Sequence, residues 1–190
     1  MNWNNFLLWL DNILEDIWLG EKGTPYRDNN TTMEPNTTVI SQEKAPSAPL
    51  PTKGDILYEA AFQALGKAIA PQNIAELGCA YSVDALYKRC FGKHIVPPPN
   101  NESTFWMYKT LKTSALFEQT SEPQAGDLII SPTNYGNGSL PHGHVGIVGH
   151  HRIMSNNSET GKWAQDYTLN TWRAYFHDKG GYPILFFRPL

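Results

Sequence analysis

Cysteine is scarce in this chain: Cys79 and Cys90 are the only two in 190 residues. So few cannot staple a disulfide-dense scaffold. Both fall within one helical pattern, where a rise of 1.5 Å per residue sets them roughly 16 Å apart, beyond disulfide reach. Two free thiols are therefore predicted. Concentrated positive charge is also missing. No run of Lys or Arg exceeds two residues, and the formal net charge is -3. A nucleic-acid reader needs a basic patch to meet phosphates, so no nucleic-acid partner is expected. No Lys or Arg precedes Lys22, and Asp11, Glu15 and Asp16 interrupt the early apolar residues. Neither a secretory signal nor a membrane span is expected from that pattern. No internal repeat is visible.

Apolar material is plentiful, with 41% hydrophobic and 12% aromatic residues, enough for a core and a ring-lined cleft. Three segments are expected. Residues 1–20 place Trp3, Phe6, Leu7, Leu10, Ile13, Leu14, Ile17 and Trp18 at helical spacing, an amphipathic arm that must dock on the domain, another chain or a membrane. Residues 21–52 turn to Thr, Asn, Ser and Pro and read as an extended linker. Residues 53–190 form the domain proper.

That domain opens with a helical face of Leu57, Ala61, Ala64, Leu65, Ala68 and Ile69, stopped by Pro71. A second helix runs from Cys79 to Gly92, and a third over residues 104–116 with Ser103 as its cap. Strand patterns follow in DLIIS, HVGIVG and RIMSN, then a helical turn over residues 171–176 and a last strand in YPILFFRP. Helices first and a small antiparallel sheet afterwards define an α+β domain.

A thiol is a strong nucleophile only as thiolate, which a helix N-terminus and a nearby imidazole both favour. Cys79, after Gly78 at a helix start, fits that requirement, whereas Cys90 lies on the apolar side of the same helix. His144 opens a strand, and alternation groups it with Gly146 and Val148 on one face. Gly143 and Gly146 permit close backbone approach beside it. His142 sits in a Gly and Pro turn and is expected to be exposed. An imidazole base is commonly oriented by a third polar group. A tight hairpin around Gly149 and His150 brings Asn156 near the level of His144, with Asn157 as its rival.

Order and spacing of Cys79, Gly126, Asp127, Gly143, His144, Val145, Gly146, Ile147 and Asn156 resemble the NlpC-type and CHAP cysteine peptidases of the papain-like superfamily, over residues 55–189. The resemblance implies a papain-like fold, with helices packed on the sheet, and a hydrolase cutting peptide or amide bonds of bacterial cell-wall peptidoglycan. It implies Cys79 as nucleophile, His144 as base and Asn156 as orienter, with no cofactor and a peptidoglycan stem peptide or other amide as partner. Ala80, Tyr81 and Ser82 after the cysteine depart from the Ser-Gly common in that family. Cytoplasmic synthesis is expected, with release by phage lysis or incorporation into a virion.

Gln72 and Tyr81 are candidate oxyanion donors. A zinc site from His142, His144, His150 and His151 is disfavoured, because adjacent His150 and His151 point in different directions. Aromatic residues Phe105, Trp106, Tyr108, Trp163, Tyr167, Trp172 and Tyr175 are expected in the core and at the cleft rim. Asp84 and Lys88, one helical turn apart, are expected as a solvated surface pair. Two other functions stay open: a non-catalytic phage-particle or cell-surface module, and amidase or acyltransferase chemistry on a non-wall substrate.

Overall fold

The computed structural model of the protein describes residues 49–190; the expected arm and nearly all of the expected linker lie outside the described residues. The first helix, α1 (Lys53–Gln63), starts at a reciprocal cap. Thr52 Oγ1 accepts the Asp55 N–H at 3.1 Å while the Asp55 carboxylate accepts the Thr52 N–H at 2.8 Å. The helix stops short of the expected Ile69. Gly66 turns at φ +81° and its N–H donates to Trp163 O, and Trp163 N–H donates to Lys67 O, both at 2.8 Å. Those two bonds tie the chain to a strand and end the helical ladder.

Helix α2 (Cys79–Phe91) has the expected bounds. It buries Cys79, Ala80, Val83, Leu86 and Tyr87, and closes at Gly92, whose φ of +71° lets its N–H return to Lys88 O. One expectation on this helix is overturned. Asp84 is not a surface partner of Lys88: it is fully buried, pairs with His94, and accepts the Ile95 and Val96 N–H groups at 2.7 and 3.1 Å and the Asn101 amide at 3.3 Å. A buried carboxylate needs such a full set of donors. Helix α3 (Thr104–Thr113) carries the expected Ser103 cap but ends before Leu116, since Ser114 is already extended and Phe117 enters a strand.

Six strands form one antiparallel sheet: β1 (Phe117–Thr120), β2 (Leu128–Ser131), β3 (His144–Val148), β4 (Ile153–Asn156), β5 (Trp163–Tyr167) and β6 (Leu185–Pro189), in the order β1-β6-β2-β3-β4-β5. The protein is thus α+β. Strand alternation gives the sheet two apolar faces. Leu128, Ile130, Val145, Ile147, Met154 and Phe187 pack with the residues of α1, α2 and α3. Ile129, Val148 and Ile153 pack instead with Leu140, Trp172, Phe176 and Tyr182. Trp172 and Phe176 of this second layer come from a short helix, α4 (Leu169–Trp172), which widens into a π-helical turn, Arg173–Lys179.

The helical layer meets the sheet at the Gly126-Asp127 pair. Gly126 has φ +89°, and a Cβ there would stand 1.9 Å from Gly54 O in α1. Asp127, 1% exposed, receives the Arg188 guanidinium from β6 at 3.1 and 2.8 Å. Gly126→Ala should cost about 2–4 kcal/mol through the positive φ and the backbone clash together. Urea denaturation of both proteins measures it.

Candidate active site

Cys79 reaches its position through a 3-10 turn, Gln72–Leu77, and Gly78. Gly78 has no room for a side chain: a Cβ would lie 2.4 Å from that of Ala70. As the first residue of α2, Cys79 sits where helical N–H groups lack intrahelical acceptors. The backbone N–H groups of Val145, Ala80 and Cys79 itself favour the thiolate. Burial nevertheless outweighs these donors and pushes the thiol up to about 11. The thiol is protonated at rest.

Val145 is free to donate because the β3–β4 ladder is short. Its paired residues are Ile147 with Met154 and Val148 with Ile153, and no pairing continues toward Val145. The tight fit of β3 also needs its glycines. A Cβ on Gly143 would lie 2.0 Å from Ser131 O, and one on Gly146 would lie 2.7 Å from Met154 O.

His144 lies among aromatic rings. Its imidazole is nearly parallel to Phe176, at 9° with 5.3 Å between centroids, and is flanked by Trp172 at 5.3 Å and Tyr167 at 6.0 Å. Its Nε2 is buried with no hydrogen-bond partner. Desolvation by these rings lowers the imidazole to about 4. The imidazole is neutral at rest, like the thiol.

The two asparagines differ in what they are free to do. Asn156, 2% exposed, donates through Nδ2 to Ala75 O at 2.6 Å, fastening β4 to the turn that leads into Cys79. Its Oδ1 is buried and unpartnered. Asn157 is committed at both ends: Nδ2 donates to Asp166 at 2.7 Å, and Oδ1 accepts the Glu159 and Thr160 N–H groups at 2.9 and 2.8 Å. It organises the turn between β4 and β5.

Cys79, His144, Asn156 and Asn157 line one cavity of about 310 Å³, and no hydrogen bond joins Cys79 to His144 or His144 to either asparagine. A second cavity of about 440 Å³ shares Leu77, Cys79, His142 and Gly143 with the first. The cleft therefore passes over the thiol in both directions. His142 is exposed, as expected, and stands on the rim of both parts. Gln72 lines a different cavity of about 550 Å³ that does not include Cys79, and Tyr81 lines none of the three. Among the described residues, no three His, Cys, Asp or Glu side chains converge as metal ligands; His150 packs instead on Tyr58 at 4.7 Å. Cys90 is partly buried against the helical core, away from both cavities.

Sequence reasoning missed the Val145 N–H, the enclosure of His144 by Tyr167, Trp172 and Phe176, and the exposed Leu77 lining the cleft. Only the ring enclosure had a signal, the aromatic density between Trp163 and Phe176.

A depressed imidazole has a thermodynamic consequence. The unfolded chain takes up its proton near 6.5 and the fold only at about 4. Within that window the unfolded state binds more protons, so the His144 contribution to stability is lost as pH falls. The thermal midpoint should drop on acidification through it, and drop less in His144→Gln. Parallel pH series of melting curves check this. Comparison of the sequence with protein-family models and with curated proteins gives no match.

Proposed function

We propose that the unit Pro51–Leu190 is a thiol hydrolase of the papain-like NlpC/CHAP kind, acting on a peptide or amide bond, with bacterial peptidoglycan stem peptides as its substrate. The observation that carries this reading is the surrounding of Cys79. Its sulfur stands at the start of a helix, beside backbone N–H groups that favour the thiolate, and opens on a cavity that His144 and Asn156 also line. A buried structural thiol has no need of such donors.

In the proposed reaction, the Cys79 proton passes to His144 as sulfur bonds to the carbonyl carbon. N–H groups at the start of α2 hold the tetrahedral oxyanion. The carbon–nitrogen bond then breaks, and His144 returns its proton to the leaving amine. Water, losing a proton to His144, attacks the thioester and releases the acid and the thiol. Asn156 is assigned as orienter over Asn157, because its Oδ1 is free to accept the imidazole N–H whereas both ends of the Asn157 amide are engaged.

One observation favours a second reading, a binding module that keeps the scaffold without catalysis. Burial opposes both charged forms of the pair, raising the thiol and lowering the imidazole. Substrate must overcome that cost by supplying the dipoles that stabilise charge transfer.

Mass spectrometry of peptidoglycan digested with the full chain separates the two readings. New stem-peptide fragments should appear and should vanish in Cys79→Ala. His144→Ala should slow the reaction by about 10²- to 10⁴-fold, and Asn156→Ala by less. Cys90→Ala should remain active. Fragments that persist in Cys79→Ala would sink the thiol mechanism, and an intact wall after digestion with every protein would favour the binding module.

A further inference from the structure

Three side chains that no catalytic step uses are arranged around His144. Ser131 is its direct partner across the β2–β3 ladder, so both project from the same face of the sheet. Ser131 is fully buried, and its Oγ accepts the Trp172 indole N–H at 3.0 Å. The indole is thus pinned over the strand pair at His144, with ring centroids 5.3 Å apart. Phe176 follows on the π-helical turn, 4.7 Å from the Trp172 ring and nearly parallel to the imidazole. Trp172 is fully buried and Phe176 is 4% exposed, so neither ring can swing into solvent. Local π-helical geometry of this sort concentrates at functional sites.

We propose that Trp172 and Phe176, locked through Ser131, are positioning residues that set the plane of the His144 imidazole toward the cleft. The proposal rests on His144 being the general base. Orientation of a base is ordinarily a hydrogen bond's task. Here Nε2 has no hydrogen-bond partner in the free protein, and the nearly parallel Phe176 ring with the tilted Trp172 indole supplies the constraint. The same rings keep water from Nε2. Other titratable groups on the cavity wall are Cys79 from α2, Asp166 and Tyr167 from β5, Tyr175 from the π-helical turn, and His142 and Glu159 from loops, with no Lys or Arg among them.

The test uses the full chain as Ser131→Ala, Phe176→Leu and Phe176→Tyr. Phe176→Leu keeps an apolar side chain and loses the ring; Ser131→Ala removes only the acceptor of the indole N–H. NMR titration of the His144 imidazole should move from about 4 toward 6.5 in both variants, and Phe176→Tyr should stay with the wild type. On a peptide substrate, kcat should fall about 10- to 100-fold with KM within about twofold, the pattern of a misplaced catalytic group. A merely structural role would lower the melting temperature without moving the titration. An unchanged imidazole titration in folded Ser131→Ala and Phe176→Leu overturns the proposal. If Phe176→Leu does not fold, Ser131→Ala alone decides by the same titration. Absence of any hydrolysis by the wild type counts against the hydrolase reading, and the titration still decides whether the rings hold the imidazole.

Discussion

The close fit of β3 between its neighbours is the constraint from which the site follows. Gly143 lies where a Cβ would meet the Ser131 carbonyl, and Gly146 where one would meet the Met154 carbonyl. With both side chains absent, β3 can start deep in the sheet, so that the Val145 N–H favours the Cys79 thiolate and His144 falls among the rings of the opposite layer. Adjacent residues of one strand thus serve two faces. The thiol is approached from the helical layer, and the imidazole is held from the other.

That arrangement explains the electrostatic state. Cys79 is buried and His144 is partly buried with its Nε2 enclosed, and desolvation disfavours whichever form is charged. The thiol moves up and the imidazole moves down, so neither ionises the other in the free protein. The three N–H donors at the sulfur pull against burial and lose. A resting site of this kind keeps its cysteine as thiol, and thiols are slow to react with adventitious oxidants and electrophiles.

Much of the fold was legible because its signals are local. A glycine on each side of Cys79–Phe91 bounded α2, and short apolar runs between turn-rich segments marked β2, β3, β4 and β6. Two strands escaped notice. FEQT and WAQDY carry few β-branched residues and lie at the sheet edges, where polar side chains are tolerated. The overlong first helix has a related cause: the bonds that end it come from Trp163, far along the chain. Asp84 was misread for the same reason. Spacing on a helix shows Lys88 one turn away, but not the returning loop of His94, Ile95, Val96 and Asn101. At the candidate site, sequence order named the cavity-lining Cys79, His144 and Asn156, yet could not reveal the Val145 N–H, since a backbone group carries no residue signature.

The position of β6 bears on how the domain can be assembled. This strand comes last in sequence, yet it lies between β1 and β2, hydrogen-bonded to both. The segments carrying Cys79, His144 and Asn156 all emerge from the ribosome before it. Until Leu185–Pro189 arrive, β1 has no partner in the sheet and Asp127 lacks its guanidinium. Pairings between strands so distant in sequence close large loops and form late. A growing chain therefore holds every residue of the proposed triad well before it holds a finished sheet to carry them, which separates the synthesis of these groups in time from the completion of their scaffold.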